Sequence, residues 1–215
     1  GPQHWKQANA DAHAKGAVAI SNSWITGDQN AHAQDILDWK AANPSKTSGE
    51  ALVHFAGVDT DGDNWYDIPG GTSWTTAFWD DWVATIDSFQ SQGIYVTGGS
   101  NDNFNRMSTL SAGATENNQA PGSAMPHLYP ELEEAWLTVV NVIKDDNVFY
   151  LNSSPCALTA RYCIAHDGSN VLAGIYHASG NSIYNQYTGT SMTTPQISGM
   201  IALLFEAFPD NTPEN

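Results

Sequence analysis

Residues 189–199 read Gly-Thr-Ser-Met-Thr-Thr-Pro-Gln-Ile-Ser-Gly and run directly into Met-Ile-Ala-Leu-Leu-Phe-Glu-Ala-Phe at 200–208. The second run has the apolar density of a buried helix, so the first reads as the start of that helix. A hydroxyl there, on Ser191, lies where the positive end of the helix dipole lowers the cost of negative charge. Gly189 allows a tight approach by the preceding chain. Pro195 is expected within the first turn or so, where a missing amide hydrogen costs least. Two readings of Ser191 stay open at this point: a plain helix cap, or a hydroxyl placed for chemistry.

Upstream, apolar runs alternate with helical patterns. The alanine-rich stretch Gln7–Lys15 predicts a helix ended by Gly16, then a buried strand over Ala17–Ser21. Ala31–Ala42 carries Ile36, Leu37 and Trp39 among polar residues and stops before Asn43-Pro44, which predicts an amphipathic helix. Leu52–Val58 reads as a strand. Trp74–Gln92 predicts a longer helix with Phe78, Trp82, Val83, Ile86 and Phe89 near one face, closed by Gly93, and Ile94–Thr97 a strand. The stretch Gly98–Tyr129 is rich in Gly, Asn, Ser and Pro and lacks periodicity, so it reads as a long loop of the kind that serves a site. Leu137–Ile143 returns to strand character, and short β segments are expected over Val148–His177. Such strands alternating with helices imply an α/β fold, a mainly parallel, doubly wound sheet covered on both faces.

Composition narrows the function. The 215 residues carry 23 acidic and 7 basic side chains, a net charge of −16, which repels phosphate backbones and anionic lipid and so argues against nucleic-acid and membrane-surface partners. Eight Trp, eight Tyr and seven Phe supply enough large apolar groups to offset ordering entropy. No run of about 18 apolar residues is present, so none of these residues is expected to span a membrane. Cys156 and Cys163 lie close together in a Ser/Pro-flanked stretch. That spacing suits a loop-closing disulfide and an oxidising compartment, with two free buried thiols as the alternative.

A serine nucleophile needs a proton acceptor and donors for the oxyanion that forms on the attacked carbonyl. Tyr95-Val-Thr-Gly-Gly-Ser-Asn101-Asp ends a strand in an asparagine, which taken alone reads as a turn former. Read in order, Ile20-Ser-Asn-Ser-Trp24, the Asn101 segment, Pro126-His-Leu-Tyr-Pro-Glu-Leu-Glu-Glu-Ala-Trp-Leu-Thr-Val139 and the Ser191 segment resemble the subtilisin-like serine proteases. The 126–139 stretch and the place of the cysteine pair are similar to those proteases as they occur in bacterial autotransporters. The resemblance covers nearly the whole chain, from about Ala8 to Thr212.

This resemblance implies Ser191 as the nucleophile and the Asn101 side-chain amide, with the Ser191 backbone amide, as the oxyanion donors. It implies Trp24, Gly98, Gly99 and Ser100 as edges of the pocket for the residue before the scissile bond, with a medium or large apolar side chain as guest. The family also places an aspartate at the end of an early strand and a histidine in a His-Gly-Thr helix start, both upstream of the Asn-Ser-Trp strand. Neither motif occurs in these residues, and His4 and His13 read as surface residues. The expectation is therefore that 1–215 is the central and C-terminal part of one subtilisin-like peptidase domain, with an incomplete core and close to inert alone. The aspartate and histidine would come from an N-terminal segment, on a separate chain or otherwise absent here.

Asp59-Thr-Asp61-Gly-Asp63-Asn-Trp65-Tyr-Asp67 forms a second constellation. Its carboxylates at relative positions one, three, five and nine, with the Trp65 carbonyl at seven, suit one hard cation. The glycine is shifted from the usual EF-hand place and position twelve is Gly70 rather than Glu, so a structural calcium ion and a solvated acidic loop both remain open. The loop, 57–71, reads as an insertion. His127, His166 and His177 have no zinc-like spacing. The favoured reading is an exported serine endopeptidase, secreted or on a bacterial cell surface, acting on a peptide or protein substrate. The rivals are a catalytically inactive relative of the same fold and an acidic, Trp-rich calcium and carbohydrate-binding module.

Overall fold

Tyr95 and Val96 are neighbours in one strand and therefore point to opposite faces of its sheet, and each seeds a different core. On one face Tyr95 packs with Trp79, Trp82, Ile86, Met125, Leu132 and Trp136; on the other Val96 packs with Val139, Ile197 and Ile201. The computed structural model describes residues 2–23, 33–56, 75–99, 101, 121–146, 148–176 and 182–213.

The strand carrying this pair is β2 (Ile94–Gly98), which runs parallel to β1 (Ala19–Asn22) and to β3 (Trp136–Asp145). β3 also takes β5 (Cys163–Asp167) in parallel along Thr138–Val142 and β4 (Val148–Leu151) antiparallel along Val142–Asp145. A mainly parallel sheet needs cover on both faces. One face is covered by α1 (Pro2–Ala14), α2 (Ala33–Ala42), α3 (Ser48–Ala56) and α4 (Thr76–Gln90), with the short α5 (Met125–Leu128), and the other by α6 (Thr190–Ala207). The hairpin β6 (Val171–Tyr176) and β7 (Ser182–Tyr187) stands apart as its own two-stranded sheet. The α/β, mainly parallel architecture expected from the strand and helix pattern is thus present.

α4 shows why the helical face forms where it does. Thr75 caps its start, accepting from the Phe78 amide at 3.1 Å, and the buried Trp79, Trp82, Val83, Ile86 and Phe89 recur at the spacing of one helical face. α1 lies along it through the Lys6–Asp81 ion pair and a 3.1 Å contact between His13 Nδ1 and Ser88 Oγ. Gly16, left-handed at φ 71°, ends the α1 turn.

Three expectations are corrected. Leu52–Val58 is not a strand: Leu52 lies in α3, and residues 57 and 58 fall outside the described ones. The reason is a capping box: the Glu50 amide donates to Thr47 Oγ1 at 3.1 Å while the Thr47 amide donates to Glu50 Oε2 at 2.8 Å. These two bonds satisfy amides that a helix start otherwise leaves unpaired. The described part of the stretch read as loop, Gly98–Tyr129, includes α5 and the 3-10 turn Pro121–Ala124, and α5 buries Met125; a second 3-10 turn, Pro130–Ala135, follows it and buries Leu132. Pro195 stands six residues into α6 rather than in its first turn. β7 is an element the sequence reading did not anticipate; its exposed Tyr184 and Ile183 break the buried-strand pattern.

The expected disulfide joins Cys156 and Cys163. It closes the 3-10 turn Ala157–Tyr162 onto the start of β5.

Glu50 is held below the ordinary carboxylate range, first by its bond from Lys46 and then by the Thr47 amide. A lowered folded-state value contributes stability above the unfolded value, lost as pH falls through the folded one. Glu50→Ala, which removes the titrating carboxylate itself, should therefore lower the urea midpoint at neutral pH, and the difference from wild type should shrink on acidification below the carboxylate range. A difference independent of pH would exclude the reciprocal Thr47–Glu50 bond as its source.

Candidate active site

The carboxyl ends of β1 and β2 meet the amino end of α6, which is where open parallel sheets place their sites. Ser23 follows β1, Gly99 and Asn101 follow β2, and Gly189 caps α6 just before Thr190 and Ser191. Gly99 is held to the sheet by its amide, which donates to the Val139 carbonyl at 2.8 Å. Gly98 is buried against the hydroxyls of Thr190 and Thr194.

Asn101 is tied to the helix mouth by its oxygen. Oδ1 accepts from the Thr190 amide at 2.9 Å and lies 3.0 Å from Thr190 Oγ1, which also reaches the Gly99 carbonyl at 2.8 Å. A backbone N–H can only donate, so this contact decides which end of the carboxamide is oxygen. Oδ1 is committed to the helix, and the two Nδ2 hydrogens are what Asn101 has left for a ligand.

The first four amides of α6 divide in an informative way. Thr190 gives its N–H to Asn101, while Met192 and Thr193 give theirs to the Gly189 carbonyl at 3.0 and 3.3 Å. Ser191 N–H takes no acceptor among the described residues. A helix start with an untaken amide, at the positive end of the dipole and beside a carboxamide N–H₂, is suited to a developing negative oxygen.

Gly189 makes this arrangement possible. Its φ of 150° and ψ of 176° lie in a region reached essentially by glycine alone, and a Cβ there would come 3.0 Å from Asn101 Oδ1. A relay of bonds supports it from below. Asn141, buried in β3, accepts the Gly168 amide on Oδ1 at 2.8 Å, and the Gly168 carbonyl accepts the Gly189 amide at 3.2 Å.

Ser191 Oγ donates to the Ser23 carbonyl at 3.3 Å. Four of the five described histidines have partners elsewhere: His13 meets Ser88, His127 the Leu158 carbonyl, His166 Gln196, and His54 stacks on Trp39, while His4 is exposed on α1. Of the residues expected at the site, Ser191, Asn101, Gly98 and Gly99 are brought together. Trp24 and Ser100 lie outside the described residues, as do Asp59, Asp61, Asp63, Trp65 and Asp67. Among the described residues no group of three or more His, Cys, Asp or Glu gathers as a metal site.

The model of the subtilase family matches residues 4–215. The chain belongs to the subtilase family. Among curated proteins it is 26% identical to an extracellular serine protease of Serratia marcescens, a match that covers 48% of this chain and 12% of that protein. Among solved structures it superposes on the prenylagaramide maturation protease PagA with a TM-score of 0.52 and 13% identity, over 99% of this chain and 53% of that one. The PatG macrocyclase, solved with a peptide, gives a TM-score of 0.49 and 16% identity over 96% of this chain and 41% of that one. The chain thus spans about half of the PagA structure and a small part of the Serratia protein.

For a subtilase-family chain, the residues that sequence reasoning missed are supporting ones. Asn141 and Gly168 carry no motif, because their role depends on neighbours 27 and 21 residues away, and Thr190, although inside the quoted helix-start string, shows its role only against Asn101, 89 residues earlier. Gly189→Ala should destabilise the fold by about 1–3 kcal/mol through its forbidden backbone angles, read as a lower denaturation midpoint. An unchanged midpoint would show that the helix mouth tolerates a Cβ.

Proposed function

We propose that this chain is the serine-bearing part of an endopeptidase that hydrolyses peptide bonds through a Ser-His-Asp triad. The observation that carries the reading is the pairing at the mouth of α6 of Asn101, whose oxygen is committed to the Thr190 amide, and the Ser191 amide, which takes no acceptor among the described residues. In this reading Ser191 Oγ attacks the peptide carbonyl carbon, and the former carbonyl oxygen becomes an anion between Asn101 Nδ2 and the Ser191 N–H. A histidine accepts the Oγ proton and passes it to the leaving amine, and an aspartate orients that imidazole.

Histidine and aspartate would be supplied by the N-terminal part of the protease domain, on the same polypeptide or on a separate chain. What supports this is the outer face of α6, where Met200, Leu203 and Leu204 are exposed, Leu203 by 65%, with Phe208 exposed just past its end. Among the described residues β1 is also the edge of its sheet. An apolar helix face and an open parallel edge are suited to further elements of the same domain. The walls proposed for the pocket of the residue before the scissile bond are Gly98, Gly99 and Ser100 on one side and the Trp24 segment on the other, taking a medium or large apolar side chain.

The disulfide and the name of the Serratia relative support export to the cell surface or medium, in the manner of an autotransporter passenger. None of the described helices is long and apolar enough to cross a membrane. An inactive relative is the second reading, favoured by the Ser191 hydroxyl's bond to a carbonyl rather than to an imidazole.

A fluorophosphonate probe applied to the full-length protein decides between them. Labelling of Ser191, abolished in Ser191→Ala, is expected of the protease. Asn101→Ala should lower turnover by about 10²–10³, the loss seen when such an amide is removed from subtilisin itself. A folded protein that takes no label at Ser191 is the inactive relative.

For Asp59, Asp61, Asp63, the Trp65 carbonyl and Asp67 the proposal is one structural calcium ion in an inserted loop, with no part in the chemistry. Calorimetric titration should show calcium uptake that Asp61→Ala removes. Uptake unchanged by that substitution would place the ion elsewhere.

A further inference from the structure

In an α-helix each carbonyl accepts from the amide four residues on. For Ser191 that residue is Pro195, which has no N–H to give. The backbone carbonyl of the serine at the site is therefore deprived of its helical partner.

The neighbouring carbonyls of this turn have local side-chain donors. Thr190 O is reached by Thr193 Oγ1 and Thr194 Oγ1, both at 2.8 Å, and Met192 O by Gln196 Nε2 at 2.9 Å. The donor to Ser191 O comes from another element. Ser23 Oγ, just past the end of β1, donates to it at 3.1 Å across 168 residues of sequence. The pair is reciprocal, since Ser191 Oγ donates to the Ser23 carbonyl at 3.3 Å.

We infer that Ser23 is a positioning residue, whose hydroxyl stands in for the N–H that Pro195 lacks and clasps the backbone of Ser191 to the end of β1. The inference rests on the reading of Ser191 as nucleophile and adds a residue to it. The end of β1 is a firm anchor. Asn22 is in register with Thr97 of β2, and its side chain meets the hydroxyl of Tyr95, buried in the larger core. The clasp thus sets Ser191 relative to the same sheet that carries Asn101. The bond from Ser191 Oγ must be given up when that oxygen turns to a substrate carbonyl. The bond from Ser23 Oγ does not use the attacking atom and can persist through the reaction.

The test uses the full-length protein with the variants Ser23→Ala, Ser23→Thr, Pro195→Ala and the Ser23→Ala/Pro195→Ala pair. Each is measured for fluorophosphonate labelling rate, kcat and KM on a peptide, denaturation midpoint, and amide exchange over 190–194. Ser23→Ala should slow labelling and kcat about tenfold, the size of one lost hydrogen bond, with KM little changed and faster exchange in the first turn of α6. Ser23→Thr keeps the hydroxyl and should recover most of the rate. Pro195→Ala restores an N–H to the Ser191 carbonyl, so adding Ser23→Ala in that background should cost less than about twofold, a coupling that independent sites do not show. Wild-type rates in Ser23→Ala, or the same loss in both backgrounds, would overturn the inference. A folded wild type that takes no label instead brings down the nucleophile reading and the positioning role with it, and the exchange data then report only whether the clasp exists.

Discussion

The Thr190 amide and the Asn101 side-chain oxygen, 2.9 Å apart, form the contact on which the rest of the site depends. A helix start leaves amides unpaired, and α6 uses one of them to hold a carboxamide from the end of β2. A carboxamide has one oxygen and one N–H₂ group, so fixing the first orients the second. Gly189 must then lack a Cβ, Gly98 must let β2 approach α6, and Thr190 must be the residue that opens the helix. Small residues and hydroxyls cluster here because the backbones of strand and helix nearly touch.

The sheet is the platform that makes this contact repeatable. Alternation along β2 sends Tyr95 into an aromatic core shared with α4 and Val96 into an aliphatic one shared with α6, so the strand is gripped from both faces. Tyr95 stacks on Trp136 of β3 with ring centroids 4.7 Å apart, and burial pushes its hydroxyl pKa well above the usual phenol value. That hydroxyl stays protonated and available to Asn22, which ties β1 to the same core. The two strand ends that border the site are thus referenced to a single packed layer.

Much of this was legible in the residues. The α4 stripe reads directly as a helical face, because its apolar positions repeat at a helix's period and its ends carry Thr75 and Gly93. The strands β2 and β3 read as apolar runs because both of their faces are buried. Leu52 was misread, since a short apolar run is compatible with a strand or a buried helix, although Thr47-Ser-Gly-Glu50 upstream spells a capping box. β7 escaped because its residues face solvent and carry no burial pattern. The family relation was legible from ordered segments, as the match over residues 4–215 shows.

By itself, then, the sequence determined the α/β class and the apolar helix that follows Gly189, and its cysteine spacing suited the disulfide the fold contains, because these depend on residue type and local spacing. Only the tertiary structure decided which way the Asn101 carboxamide points, which amide of α6 takes no acceptor among the described residues, and that Ser23 covers the carbonyl Pro195 leaves bare. Each of those facts is a contact between chain segments far apart in sequence, and no local pattern encodes a hydrogen bond whose two ends are brought together by the packing of a sheet against a helix.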